Sequence, residues 1–474
     1  MEPTSPDFKA NAKRALADAD LQQALKRMRS GFIERRTEAA LRLPEFDALR
    51  DAAVDIKNHT LAHLDVYLER YEAKVIESGG TVHWCADAAE ARTVILDLCQ
   101  KAGARSVTKS KSMIAEEIAL NAHLEAAGIE PVETDLGEYI IQLAGEPPSH
   151  IIAPAVHKTK DQVADLFAKH HAALGFNKRH DEPRALVDEA RQVLRPKYLA
   201  ADVGITGANF LIAETGSSVT VTNEGNAELT QILPKTHIVI ASIEKVVPTL
   251  EDATTILRVL ARSATGQEFS AYTTFANGPR RPDDLDGPEA YHVVLLDNGR
   301  SAMLGTEFQD MLRCIRCGAC LNHCPIYASI GGHAYGWVYS GPMGAVLTPM
   351  LIGVEASGHL PNASTFCGKC EEVCPMRIPL PRMMRHWREH EFEARLSPPR
   401  WRAGLALWAW VARRPALYRA ATRGAMLMLG ALGRRSGRFR SLPGAAGWTA
   451  GRDFPAPEGP TFHALWAARQ RARR

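Results

Sequence analysis

Seven of the nine cysteines fall between Cys314 and Cys374, and their spacing constrains this chain more than any other feature. CIRCGACLNHCP sets Cys314, Cys317, Cys320 and Cys324 two, two and three residues apart and closes on Pro325. CGKCEEVCP repeats the ending with Cys367, Cys370 and Cys374-Pro375. A loop of this spacing turns three thiolates toward one iron–sulfur cube, and in two-cluster ferredoxins the cysteine before proline ligates the other cluster. Exchanging the closing cysteines assigns Cys314, Cys317, Cys320 and Cys374 to one cluster. Cys324, Cys367 and Cys370 go to a second, which is one thiolate short. The missing cysteine of a full second motif would stand at Ser364. Three outcomes stay open: a 3Fe-4S cluster, a 4Fe-4S cluster with Ser364 or another non-cysteine ligand, or a 4Fe-4S cluster with an open iron. Zinc ribbons explain neither the three-in-a-loop spacing nor the two Cys-Pro closures. Cys85 and Cys99 are remote and read as core residues.

Thiols clustered at ligand spacing place the chain in a reducing compartment. The N-terminus has no basic stretch leading into an apolar run, and no 18-residue apolar segment occurs. The expectation is a cytoplasmic protein that does not span a membrane. The 474 residues are 46% hydrophobic, enough for two or three domains with real cores. Net charge is +3, but residues 395–474 hold 16 Arg, no Lys and two acids, a net +14, leaving −11 for the body. Such an asymmetry concerns partners more than fold.

Four regions are expected. Residues 1–78 carry helical periodicity, read as a helical pair ended by Gly79-Gly80. Residues 79–300 alternate short β-branched runs with helical stretches, which predicts an α/β domain with a largely parallel sheet. TVHWC, RSVTKS, SHIIAPAV, SVTVTNEG, THIVIASI and YHVVLLDNG read as strands, and SMIAEEIALNAHLEAAG as one helix. Residues 301–390 form an α-helical two-cluster domain of ferredoxin type. Residues 391–474 read as a basic helical region ending in a disordered tail. Its WRAGLALWAWVARR stretch reads as part of a helix pair covering the cluster domain with a solvated Arg face, with peripheral contact with an anionic membrane at the inner face as the alternative. No nucleic-acid recognition motif accompanies the basic residues.

Within the α/β region, Lys109 and Lys111 stand where a strand enters a helix and are candidates for holding an anion. Glu214, beside Thr-Gly-Ser, is a weaker candidate for a catalytic carboxylate. No dinucleotide fingerprint, phosphate loop or nucleophile elbow is visible.

Long stretches, among them GITGANFLIAETGSSVTVTNEGN, IEKVVPTLEDA, SATGQEFSAYTT and LRCIRCGACLNHCPIYASIGGHAYG, resemble the lactate utilization protein B family from about residue 10 to about 390. That family also has the shortened second motif. The resemblance implies an α/β domain similar to sugar-phosphate isomerases and CoA-transferases, in which a strand-end glutamate can be catalytic. It further implies an electron-transfer subunit in the oxidation of L-lactate to pyruvate, partnered by a cysteine-rich A-type and an α/β C-type protein. Lys109, Lys111 or His157 would hold lactate if this subunit binds it. An alternative is a catalytic subunit acting on lactate or another 2-hydroxy acid through Glu214 or an open cluster iron.

Overall fold

The computed structural model describes residues 3–442, 444–449 and 451–473, those at 28–30 for their backbone alone. The N-terminal region forms four helices instead of the expected pair: α1 (Phe8–Ala17), α2 (Ala19–Leu41), α3 (Phe46–Ala62) and α4 (Leu64–Glu77). Local chemistry sets the breaks. Asp18 caps α2 by accepting from the Leu21 amide at 3.0 Å, and His63 leaves helical geometry between α3 and α4.

The strands are β1 (Thr81–Cys85), β2 (Ser106–Lys109), β3 (Glu130–Glu133), β4 (Val203–Gly207), β5 (Phe210–Ile212), β6 (Ser217–Thr222), β7 (Thr236–Ser242), β8 (Val246–Val247), β9 (Tyr272–Ala276) and β10 (Ala290–Leu296). Six of them make a wholly parallel sheet in the order β1-β10-β7-β4-β2-β3. Its central strands read as continuous apolar runs because both faces are covered. Ile238 and Ile240 of β7 face a core with Ile95 and Cys99. Val239 and Ala241 face the opposite core, which α4 closes with Leu68, Tyr71 and Val75.

Two of these element readings need correction, and one strand lies outside the parallel sheet. SVTVTNEG is a strand, but it belongs to a second, four-stranded sheet, β8-β5-β6-β9. SHIIAPAV is a turn and not a strand, since Pro147, Pro148 and Pro154 remove ladder donors and His150 Nδ1 accepts the Ile152 and Ala153 amides at 3.1 Å. SMIAEEIALNAHLEAAG breaks into Met113–Glu117 and Leu120–Ala126 at Ala119, whose φ is +52°.

The SHIIAPAV turn docks on the cysteine region. Ser149 carbonyl oxygen accepts the Tyr327 hydroxyl at 2.7 Å. A Cβ on Gly332 would stand 1.7 Å from that same oxygen, so only glycine permits the approach. The α/β and cysteine regions accordingly share one compact unit, Met1–Glu391.

A second unit, Phe392–Arg474, holds helices Pro399–Ala412, Pro415–Gly433 and Phe462–Ala472 and a short antiparallel pairing of Arg438–Phe439 with Phe454–Pro455. The expected disordered tail is therefore corrected for its described residues. Trp401, Leu407, Trp408, Trp410, Leu427 and Leu432 are exposed on it. Among the described residues, no helix is long and apolar enough to cross a membrane.

Candidate iron–sulfur centres and an adjoining cavity

The two cysteine loops repeat one backbone at an offset of 50 residues. Arg316 (φ +59°) and Gly318 (φ +72°) precede the short helix Ala319–Asn322, and Phe366 (φ +53°) and Gly368 (φ +79°) precede Lys369–Glu372. The left-handed residues curl each loop so that its thiols point inward. In this register Cys317 matches Cys367, Cys320 matches Cys370, and Cys324 matches Cys374. Ser364 stands where the first loop has Cys314.

The thiols gather around two hollows. One is walled by Cys314, Cys317, Cys320 and Cys374 among Ile151 and Met343. The other is walled by Cys324, Cys367 and Cys370, with Ser364 and His323 on its rim. None of the nine cysteines is in a disulfide. Burial pushes the Cys317 and Cys370 thiols up to about 12 and Cys374 to about 11, the neighbouring sulfurs adding to the shift at Cys317 and Cys370. Four soft donors around one hollow and three around the other, ionised only with a cation to share their charge, fit iron–sulfur clusters and leave the second set short of a thiolate. The Ser364 hydroxyl accepts the Phe366 amide at 3.1 Å.

The N-terminal helices hold the second loop in place. Arg36 of α2 donates to the Val373 carbonyl at 2.8 Å, and Arg50 of α3 donates to the carbonyls of Glu372 and Cys374 at 2.9 and 2.8 Å. Tyr335 is wholly buried near Cys324, and its hydroxyl has no hydrogen-bond partner among the described residues.

A buried charge network joins the first loop to the sheet. Arg300, 0% exposed, makes a bidentate pair with Glu117 at 2.7 and 2.9 Å and reaches Glu244 at 3.1 Å. Tyr339 and Asn298 donate to the same Glu117 carboxylate at 2.6 and 2.7 Å. Arg316 lies 3.6 Å from Glu244, with its guanidinium carbon 5.0 Å from the Tyr339 ring centre. Burial alone would raise the Glu244 carboxyl, yet Arg300, Arg316 and Lys245 hold it down at about 2.

Beside this network is a cavity of about 510 Å³, lined among others by Ser110, Lys111, Asn209, Glu224, Lys245 and Arg316. Ile151 lines both the cavity and the first cysteine hollow.

The candidate residues of the α/β region are dispersed around this plan. Lys109 is 0% exposed and paired with Glu116 at 2.9 Å and Glu133 at 2.7 Å. Burial lowers its pKa, but those carboxylates and Glu138 more than offset this and leave it raised. It is thus committed within the core. Lys111 lines the cavity and donates to Asp135 and the Ile152 carbonyl at 3.1 and 2.9 Å. Glu214 lies elsewhere and accepts the Leu250 amide at 3.1 Å, at the start of helix Leu250–Ala264. The glycine of its Thr-Gly-Ser turn serves packing, since a Cβ on Gly216 would meet the Lys74 backbone at 2.7 Å. His157 bonds Glu146 at 2.7 Å and meets the His333 ring edge to face, with ring centres 4.4 Å apart. Cys85 and Cys99 sit in the apolar core behind the sheet.

Sequence reasoning missed Glu117, Glu244, Lys245, Arg300 and Arg316. The one local signal was Arg316 itself, enclosed in the first cysteine motif.

Comparison with known proteins finds three family matches along the chain. Residues 68–296 match the LUD domain, 310–378 a 4Fe-4S dicluster domain, and 398–471 the lactate utilisation protein B C-terminal family. Lactate utilization protein B of Lysinibacillus sphaericus is 42% identical over 98% of this chain and 97% of its own length. That of Geobacillus thermodenitrificans is 45% identical over 93% of this chain and 92% of its own. A crystal structure of a DUF162 family protein from Deinococcus radiodurans matches 49% of this chain and 98% of its own at 14% identity, with a TM-score of 0.28. At such identity over nearly its whole length, the chain belongs to the lactate utilization protein B family.

Proposed function

We propose that this chain is the iron–sulfur electron-transfer subunit in the oxidation of L-lactate to pyruvate. Its first cluster would be held by Cys314, Cys317, Cys320 and Cys374, and its second by Cys324, Cys367 and Cys370. When bound, such clusters supply one-electron transfer. The observation that carries the reading is the interleaving of the motifs. Each hollow takes its last thiol from the other loop, so the two centres are neighbours by construction and suited to relay.

The residues around them bind, orient and exclude water. Arg36 and Arg50 fix the carbonyls of the second loop. Ile151, Met343 and Met376 wall the first hollow with apolar surface, which keeps water from the sulfurs and so tunes potential. A-type and C-type lactate-utilization proteins are the expected partners, and the α/β domain is read as sugar-phosphate isomerase/CoA-transferase-like. The Arg-rich second unit, with Trp401, Trp408 and Trp410 exposed, would meet anionic lipid.

The test is anaerobic purification with iron and sulfide quantitation, followed by EPR after L-lactate is added to the complex assembled from the three proteins. Two reducible clusters that fill with electrons from lactate are the expected result. A chain without clusters, or clusters that stay oxidised while the complex turns over, would end the relay reading. Lactate oxidation by the chain alone with an artificial acceptor would replace it with a catalytic one.

A further inference from the structure

The cavity beside the first centre lies where a parallel sheet opens. β2 passes the chain on to β3 at one edge, whereas β4 leads, by way of the small sheet, to β7 on the other side. The loops leaving β2 and β4 therefore diverge and leave a crevice at the carboxyl ends of the strands, the usual ligand position in α/β sheets. Both loops, residues 110–113 and 208–209, line the cavity.

Two buried polar groups on its wall make no hydrogen bond among the described residues. Ser110 is 2% exposed and its hydroxyl makes no hydrogen bond. Lys245 is 7% exposed and, among the described residues, its ammonium makes neither a hydrogen bond nor an ion pair. Arg300 takes both nearby carboxylates, and Arg316 reaches Glu244 only at 3.6 Å. Arg300, Arg316 and Lys245 thus stand beside the two carboxylates Glu117 and Glu244, and the Lys245 ammonium is the one of the three without a close counter-ion. A buried ammonium without a close counter-ion is costly, and an anionic ligand in the cavity would supply one.

From this we infer that the cavity binds a small 2-hydroxy or 2-oxo carboxylate, with the carboxylate against Lys245 and Arg316 and the Ser110 hydroxyl as a further donor. Asp135 and Glu224 also line the cavity. They disfavour a polyanion and can accept a hydrogen bond from a ligand hydroxyl. The cationic part comes from geometry alone, and the choice of a 2-hydroxy acid rests on the lactate reading above. With Ile151 as common wall, the ligand would lie beside the first cluster. This subunit would then hold the substrate or product as well as its electrons.

The experiment uses the full-length chain loaded with clusters, kept oxidised, and titrated calorimetrically with pyruvate and L-lactate, with inorganic phosphate as competitor. Saturable binding of an acid is expected, weakened tenfold or more by Lys245→Met and about threefold by Ser110→Ala, with visible and EPR spectra unchanged. Three results would overturn the proposal: no binding of either acid, unchanged affinity in Lys245→Met, or phosphate that binds without being displaced by the acids. Lys245 and Arg316 also lie within electrostatic reach of Cys314. If Lys245 merely balanced the charge of that centre, Lys245→Met would lower its midpoint potential in ligand-free protein and leave pyruvate affinity intact, which also refutes the site. Binding to oxidised protein needs no electron flow, so a failed relay and a failed pocket remain distinct outcomes.

Discussion

Arg300 is the hub of the buried charge network beside the first cysteine loop. It is fully buried and compensates Glu117 and Glu244 together. Arg300→Met keeps the volume but strands two carboxylates in the interior, where removing one partner of a buried pair costs about 3–5 kcal/mol. Urea unfolding at pH 7 should show a loss of that order. The pH dependence has a definite sign. Glu117 and Glu244 both have depressed carboxyl pKa values, Glu244 about 2 against an ordinary 4.5. Their stabilisation is complete above about pH 4.5 and is lost as pH falls toward 2. The gap between wild type and Arg300→Met should accordingly hold above about pH 4.5 and narrow as pH falls from there toward 2. Tyr335 offers a second residue-level test. Its hydroxyl is buried near Cys324 and has no hydrogen-bond partner among the described residues, and a donor that turned to a ligating sulfur would stabilise the reduced, more negative cluster. Tyr335→Phe should lower the midpoint potential of the second centre by about 40 mV, a hydrogen bond of ~1 kcal/mol acting on one electron. Redox titration followed by EPR reads the shift, and an unchanged potential would remove Tyr335 from the tuning.

At the scale of elements, the repeated cysteine loop makes Ser364 the counterpart of Cys314. A Ser364→Cys substitution should complete the second donor set. The wild type should yield a three-iron EPR signal on mild oxidation, and the variant should hold its fourth iron and lack that signal. The same signal in both would break the equivalence. The cysteine sets could be read in the sequence because cluster ligation is written at short range, three thiols to a loop with proline behind the fourth. The parallel sheet was legible for a similar reason, since strands covered on both faces read as unbroken runs like THIVIAS. What could not be read depends on contacts between distant segments. Glu117, Glu244, Arg300 and Arg316 have ordinary surface-type side chains, and only the fold turns them into a buried network. The second sheet was hidden because SSVTVT alternates like any strand, and nothing local states which sheet it joins. SHIIAPAV looked like a strand by composition, but its flanking prolines and the His150 side chain claimed the backbone first. The Glu214 turn shows the converse: a glycine motif suggestive of chemistry is required here for close packing on α4.

On the scale of the whole molecule, the division of charge follows the division into units. Residues 1–394 carry −11, and the following 80 carry +14 without a single lysine. Arginine with exposed tryptophan is the combination suited to a lipid headgroup layer, where the guanidinium pairs with phosphate and the indole sits at the interface. Each basic residue near an anionic leaflet adds about 1 kcal/mol, screened within a Debye length of about 8 Å at physiological salt. Full-length protein should therefore co-sediment with phosphatidylserine-containing vesicles at low ionic strength, and about 0.5 M salt should release most of it. A chain ending at Ala394 should stay in the supernatant at either salt concentration. The cysteines, the sheet and the cavity all lie within Met1–Glu391, so the shortened chain should keep its iron content and EPR spectra. Equal sedimentation of the two proteins would show that the basic unit does not supply the attachment. Loss of iron on truncation would show instead that the second unit protects the clusters, and the excess of arginine would then have to be explained by protein partners.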